Sequence, residues 1–597
     1  MSSPPHHPAT SGDPAQPTGP ADASSPARRT PETTSRRTGS SRRTGIPASG
    51  HHRRRTGLLA TLAAASLLAL TACGTAGTAT TAGAAHAQSD HPSDVITYGH
   101  QQEPPCVYGG WIEQGYLSHQ MLDSLVSLGD DGTVEPWLAT SWDVADDDLA
   151  WTFHLREDPT FSDGTPVDAQ AIVDNIDYWL SGGNSTALVW LDSYVESATA
   201  VDEHTVRIDL AAPYPRLAEN LTQPYFGIQS PTALATRSAE ENCTAPIGSG
   251  PFTVTEWNRG SNIILDRRDD YDWAPATAAV DGPARTERID WKFLPDPTAR
   301  TAALRAGALD AIYDVQAFEW ENLQDEGFGT LLYNTPGRPQ QISFNTTRAP
   351  FDDQRVRQAF AYSLDREAVV DTVGHGVIPY EGNGPVSQAT DAYSQEAADR
   401  YTHDPDEANR LLDEAGWTDR ADDGTRVKDG ERLHVEFPYA AGRTINQDGA
   451  AIIQGVARYA QDVGFDVELI PFPPSEAAAG AYTTPDEYDL SIGYWTSINA
   501  GILLVNWQQE VGGEPNKSNS AFWFDEDLED LIRDANSATV PEEQDALYRE
   551  AQEYIADNAL SIGVYDRLST LAINPRLHGV RQENSQGGPV FHDAYID

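Results

Sequence analysis

Leu70-Thr71-Ala72-Cys73 closes an uncharged apolar run, Gly57 to Leu70, that follows Arg53-Arg54-Arg55. A thiol in that setting can do one specific piece of chemistry. Small residues at Thr71 and Ala72 admit a signal peptidase, and the Cys73 sulfur takes a diacylglycerol before cleavage leaves it as the first residue. At about 0.8 kcal/mol per buried CH₂, one acyl chain holds a protein marginally on a bilayer, whereas two or three hold it stably. The apolar run is the length of a signal-peptide core and too short to span a membrane. The sequence therefore predicts a lipoprotein signal lipidated at Cys73. Arg54-Arg55 is compatible with Sec and with twin-arginine export, and both remain open.

The other two cysteines, Cys106 and Cys243, would meet an oxidising space after export, so a disulfide between them and a pair of buried free thiols are both open. The remaining reactive side chains make no catalytic or metal pattern. His100, His154, His375 and His434 are scattered, and no CxxC occurs. There is no GxSxG, HExxH or GxxxxGK[ST], and Gly382-Asn383-Gly384 lacks a third glycine. Ninety acidic residues guarantee accidental carboxylate pairs, so such pairs do not indicate a hydrolase. No enzyme activity, resident metal or cofactor is expected.

The elements that must position any site begin well into the chain. Residues upstream of Gly57 are Pro, Ser, Thr and Arg with little to bury, a leader so long that the true start codon stays open. Gly74 to Gln88 is Gly, Ala and Thr, a flexible tether, and the folded part should begin near Asp94. About 500 residues then remain, enough for two or three lobes. No later apolar run approaches the roughly 20 residues of a membrane-spanning helix. The formal net charge of the chain is −50; the leader carries nine Arg and three acids, so the mature body is near −56. Such a field repels nucleic acid and anionic headgroups and could draw in cations. With acid spread throughout and only Lys292, Lys428 and Lys517 as lysines, it reads more simply as a compositional habit.

Strand and helix signals alternate, which argues for α/β lobes. Asp296-Pro297 is an N-cap followed by Pro at the first helical position; the helix runs to Gly307, and Leu309 to Val315 reads as a strand. Asp404-Pro405 repeats the device, with Leu411, Leu412 and Ala415 on one face and Gly416 past the end. Leu433 to Phe437, a helix with Ile452, Ile453, Val456 and Tyr459 stopped near Gly464, and Phe465 to Ile470 form a βαβ unit with parallel pairing. Phe252 to Trp257 and Ile263 to Leu265, joined by Asn258-Arg259-Gly260, form a hairpin.

Several phrases coincide in order and spacing. They are Glu135-Pro136-Trp137-Leu138-Ala139 with Ser141-Trp142; Trp151-Thr152-Phe153-His154-Leu155-Arg156; and Phe161-Ser162-Asp163-Gly164-Thr165-Pro166-Val167. Next come Pro246-Ile247-Gly248-Ser249-Gly250-Pro251-Phe252, Arg305-Ala306-Gly307-Ala308-Leu309-Asp310, and Phe344-Asn345 ahead of Phe351 to Ala359. The last runs from Asp404-Pro405 through Leu411-Leu412 to Ala415-Gly416-Trp417. Together they resemble the extracytoplasmic solute-binding lipoproteins, family 5, that serve oligopeptide, dipeptide and nickel ABC importers. Most of these residues read as scaffold. Gly248 and Gly250 supply turn conformations, Val356, Phe360 and Leu364 are core, and Arg355 and Arg357 are exposed or pair with acids.

The resemblance implies an α/β, type II periplasmic-binding-protein fold with two hinged lobes plus an extra domain. It divides the chain into a leader and signal (1–72), a tether (73–91), lobe I (92–136, 242–340 and 563–597), the extra domain (137–241) and lobe II (341–562). It implies a monomer, lipid-anchored outside the cell membrane, that captures a peptide-like or other small polar solute and delivers it to an ABC permease and ATPase complex, with no nucleic-acid partner. A sensor lipoprotein and a nickel-chelate carrier are the alternatives. By the same resemblance the cleft is lined by Tyr108 and Trp111 after the first strand, by Gln223 and Tyr225, and by Tyr494 and Trp495, where Trp495 matches an aromatic that faces ligand. Peptide-binding relatives follow that Trp with an aspartate for the peptide's α-ammonium. Here Thr496-Ser497-Ile498-Asn499-Ala500-Gly501 brings no acid, so Ser497 and Asn499 would offer neutral hydrogen bonds to a polar or modified ligand.

Overall fold

The computed structural model describes residues 95–108, 114–380, 382 and 384–597. Cys73, the leader, the tether and Trp111 lie outside the described residues.

A seven-stranded mixed sheet is assembled from distant parts of the chain. Its order is Gly329–Asn334, Leu568–Ile573, Ala311–Tyr313, Val95–His100, Arg288–Phe293, Asn262–Arg267 and Phe252–Asn258. Val95–His100 is the central strand, parallel to both neighbours and buried from Ile96 onward, the pattern of a strand covered on both faces. Arg288–Phe293 beside it alternates buried positions with less buried ones. The expected hairpin forms its far edge. Between the first strand and this hairpin the chain builds a separate four-stranded antiparallel sheet, in the order Ala139–Val144, Ala150–Leu155, Thr205–Leu210 and Val195–Asp202.

A third sheet pairs Gly337–Phe344 centrally with Leu490–Thr496 and Ser561–Tyr565, all antiparallel. Next to it, His434–Ala440 and Asp466–Phe472 run parallel, joined by the helix Gln447–Val463. That helix buries Ile452, Ile453, Val456 and Ala460 and ends on Gly464 at φ 113°, a conformation suited to a residue without Cβ. The βαβ unit read from the sequence is therefore present.

The two Asp-Pro signals cap helices as their chemistry requires. Asp296 accepts from the Ala299 N–H at 2.7 Å ahead of Pro297–Arg305, and Asp404 accepts from Glu407 at 2.9 Å ahead of Pro405–Glu414. The strand after the first is shorter than expected, Ala311–Tyr313, because the chain leaves the sheet at Asp314, whose φ is 57°.

Two expectations are corrected. Gly248 and Gly250 do not serve by positive φ; a Cβ on either would come within 2.1 Å and 2.5 Å of the Met121 backbone, so close approach of two chains selects glycine. Val356, Phe360 and Leu364 are core, and Arg355 pairs with Asp353. Arg357, however, is buried, and its guanidinium donates to the carbonyls of Phe351, Asn558 and Ala559 at 2.8, 2.8 and 3.1 Å. Replacing it strands those acceptors. Arg357→Met should lower stability by about 3 kcal/mol, read as the urea midpoint, because unpaired buried carbonyls cost roughly 1–3 kcal/mol each. Arg355→Ala should leave that midpoint close to wild type.

Candidate functional site

The chain passes between the seven-stranded and three-stranded sheets twice. Gly329–Asn334 continues through Thr335-Pro336 into Gly337–Phe344, and Ser561–Tyr565 returns through Asp566-Arg567 into Leu568–Ile573. The two crossings lie side by side: the Thr335 N–H and hydroxyl both donate to the Arg567 carbonyl, at 3.0 and 2.7 Å. Against them opens a small polar cavity. Asp314 and Thr570 line it from one sheet, Gln340 and Tyr565 from the other, with Asp448 from the helix Gln447–Val463 and Arg567 from the crossing itself.

Polar groups dominate this cavity, and two of them are notable for their partners. Gln340 donates to the Thr444 carbonyl at 2.6 Å, while its Oε1 is buried without a donor. Arg567 lies 4.1 Å over the Tyr494 ring and donates to the Tyr313 hydroxyl at 2.8 Å. Burial works against its charge, but the phenols of Tyr313 and Tyr494 and the Asp314 carboxylate outweigh burial and raise its pKa. A fixed cation thus sits at the chain crossing.

Three hydrogen bonds bridge the mouth. Asn446 donates to Asp314 at 2.7 Å, Gln316 to Gln447 at 3.0 Å, and the Ala317 N–H to Asp448 at 3.0 Å. The helix Ala317–Asp325 has no side-chain cap of its own at Gln316. Asp448 caps it from the other side of the crossings, so this arrangement satisfies a helix end that separation would expose. Burial and the nearby Asp314 hold the Asp448 carboxyl above the usual range, against the lowering effect of the Ala317 N–H.

Above the cavity the strand Leu490–Thr496 pairs with Gly337–Phe344 so that Trp495 stands opposite Arg338 and Gly493 opposite Gln341. Directly paired residues share a face, so Trp495 and Arg338 point the same way while Tyr494 points to the other face, onto Arg567. The Trp495 indole N–H is buried and has no acceptor.

A family model for bacterial extracellular solute-binding proteins, family 5 Middle, matches residues 133–501. The chain belongs to this family. Its members are the substrate-binding proteins of ABC importers, and the fold is the type II periplasmic-binding-protein fold. The nickel-binding periplasmic protein of Escherichia coli K12 is 28% identical over 363 residues, 60% of this chain and 67% of its own. Heme-binding protein A of Haemophilus influenzae is 26% identical over 563 residues, 90% of this chain and 97% of its own. Among solved structures, NikA from Brucella suis in complex with Fe(III)-EDTA superposes with a TM-score of 0.70 at 26% identity, over 84% of this chain and all of that one.

In this family member the sequence-derived residues fall into three groups. Trp495 and Tyr494 lie on the strand above the cavity, on opposite faces. Tyr108, Tyr225 and Gln223 are buried: Tyr108 stacks on Tyr178 and accepts from the Trp179 indole at 3.3 Å, Tyr225 belongs to a core cluster, and Gln223 accepts from Gln586 at 3.2 Å. Ser497 and Asn499 are also engaged within the protein. Both are fully buried; Ser497 donates to the Asn499 carbonyl at 3.0 Å, and Asn499 donates to Asn220 and accepts from the Gly501 N–H, each at 3.0 Å. These bonds hold the loop after Trp495. Cys106 and Cys243 are joined as a disulfide with Cα atoms 4.9 Å apart. Among the described residues no group of three or more His, Cys, Asp or Glu could hold a metal ion, and no helix is long and apolar enough to cross a membrane.

Gln340, Asp448 and Arg567, which line the cavity, and Arg338 opposite Trp495 were not singled out by the sequence. Each acquires its place from a strand pairing or a crossing more than 100 residues away in the chain, for which sequence spacing holds no signal.

Because its pKa is raised here and ordinary when unfolded, Asp448 binds protons more tightly in the folded arrangement. Stability from this group therefore rises as pH falls through the window just above the usual carboxylate range of about 4. Asp448→Asn removes that titration but keeps an acceptor. The thermal midpoint of wild type relative to Asp448→Asn should move in favour of wild type between about pH 7 and about pH 4.5.

Proposed function

We propose that this chain is the lipid-anchored solute receptor of an ABC importer, taking one small polar or peptide-like solute into the cavity at the paired chain crossings and closing over it. The observation that carries this is an unused polar group in the cavity wall: Gln340 Oε1 is buried without a partner. Buried polar groups left unpaired cost roughly 1–3 kcal/mol each, which a bound solute would recover. The family, whose members bind solutes for import, supports the same reading.

In this reading, residues 92–136, 242–340 and 563–597 form one lobe, 341–562 the other and 137–241 an extra domain, with Thr335-Pro336 and Asp566-Arg567 as the hinge. Asn446, Gln447 and Asp448 meet Asp314, Gln316 and Ala317 on closure. Diacylglycerol on Cys73 would hold the monomer beside its permease on the outer face of the membrane. The protein binds its solute and does not turn it over. The relatives' printed ligands, nickel, heme and an iron chelate, differ enough that membership alone does not select one. A metal complex would have to arrive with its own donors, given the absence of a His, Cys, Asp and Glu cluster among the described residues.

Two results check this. Native mass spectrometry of gently purified protein should identify a retained solute, unchanged on prolonged incubation, and restoring that solute to stripped protein should raise the thermal midpoint. Trp495→Ala should lose roughly half or more of that rise; an undiminished rise removes Trp495 from the site. In cells, Cys73→Ser should abolish labelling by radioactive palmitate and release the protein into the medium, whereas unaltered labelling would refute the anchor.

A further inference from the structure

A second cavity shares no lining residue with the one at the chain crossings. Four stretches far apart in sequence meet around it: His119 to Trp137, Thr222, Pro251 to Ala278, and Arg581 to His592. Its walls are mainly apolar. Trp137, Tyr271 and Val590 are buried there, and Pro251 and Pro275 add rigid faces. The His119 ring meets Trp137 edge to face, with centroids 5.3 Å apart at 76°. Desolvation and the nearby Arg581 charge push the His119 pKa down to about 3, so this wall is uncharged at neutral pH.

The carboxylates around the cavity are committed to the protein itself. Glu583 accepts from the N–H groups of Ser585 and Gln586, at 2.8 and 2.7 Å. Asp593 accepts from the Ala279 and Val280 N–H groups, each at 3.0 Å, and stands 3.8 Å from Arg581. An entering charge of either sign is opposed: Glu583 and Asp593 act against a carboxylate, Arg581 against an ammonium. Ser127 and Arg581 both line the cavity, and Ser127 Oγ and Arg581 Nε are buried with no hydrogen-bond partner among the described residues. Buried polar atoms are rarely left so. Apolar walls with a few polar groups to fix orientation make a small-molecule site, and both of these atoms can donate.

We propose that this cavity is a second ligand site, one that takes a small, uncharged aromatic molecule bearing an acceptor oxygen such as an amide or ketone carbonyl. The ring lies among Trp137, Tyr271 and the two prolines, and the oxygen accepts from Ser127 and Arg581. A bound molecule bridges the stretch from His119 to Trp137 and the C-terminal stretch from Arg581 to His592, so occupancy stabilises the fold. The site stands apart from the function proposed above. Its ligand is held away from the crossings and is not the imported solute.

The test titrates the full chain with benzamide, benzoate and benzylammonium, followed by saturation-transfer NMR. Benzamide should bind saturably and raise the thermal midpoint, with the two charged probes roughly tenfold weaker or worse. Ala278→Phe, which fills the cavity from a partly exposed position, should abolish benzamide binding. Ser127→Ala, which removes a hydroxyl without a partner, should melt close to wild type and bind benzamide roughly fivefold less tightly. If Ala278→Phe melts early, Ser127→Ala alone decides the assignment. Absence of saturable benzamide binding, equal binding of the charged probes, or an affinity unchanged in Ser127→Ala overturns the proposal. An affinity undiminished by a folded Ala278→Phe puts benzamide elsewhere and overturns it too. None of the probes is the imported solute, so failure here leaves the import reading untouched, and failure of import leaves this site untouched.

Discussion

Two hydrogen bonds from Thr335 to the Arg567 carbonyl hold the chain's two passages between sheets side by side, and the rest of the site depends on that adjacency. Because the crossings are neighbours, the two sheets share one short junction and can rotate about it as units. Because Arg567 sits in the second crossing, its guanidinium is carried to Tyr494 on one side and Tyr313 on the other, joining the two sheets through a charge. The cavity opens at that junction, where a small rotation changes its walls most. The contacts of Asn446, Gln447 and Asp448 with Asp314, Gln316 and Ala317 lie beside it and bridge it with three hydrogen bonds.

The electrostatics separate into two scales. At long range the chain is strongly acidic, and its surface pairs, such as Arg355 with Asp353 or Arg410 with Glu407, contribute little individually. At short range the buried arginines differ by what receives their donors. Arg357 is spent on carbonyls and fastens a helix to the chain near Ala559, whereas Arg338 retains an unused edge beside an unused indole N–H. The same residue type is thus fully engaged in one place and only partly engaged in another. Counting charges along the sequence cannot tell the two apart.

Legibility followed sequence distance. The capped helices at Asp296-Pro297 and Asp404-Pro405, the hairpin around Asn258 to Gly260 and the βαβ unit around Gln447–Val463 rest on neighbours within a few turns, and their signals were readable. Arg357 was misread because helical periodicity shows which side a residue faces but not that carbonyls 200 positions away wait there. Gly248 and Gly250 were read as turn residues, since their true constraint is the Met121 backbone. Trp495 was singled out by motif; Arg338 opposite it was not, because antiparallel register between strands some 150 residues apart is set by the whole sheet. The partner that holds Asn499, Asn220, is likewise distant in sequence.

The central claim is that solute occupies the junction of the two crossings. A crystal structure of the protein purified with its retained solute tests it most directly. The account predicts density for the solute in the cavity bounded by Gln340, Tyr565 and Arg567, with Asn446 and Asp448 still bonded across the mouth. Solute bound instead in the separate cavity near His119, Trp137 and His592, with the junction filled only by water, would contradict it.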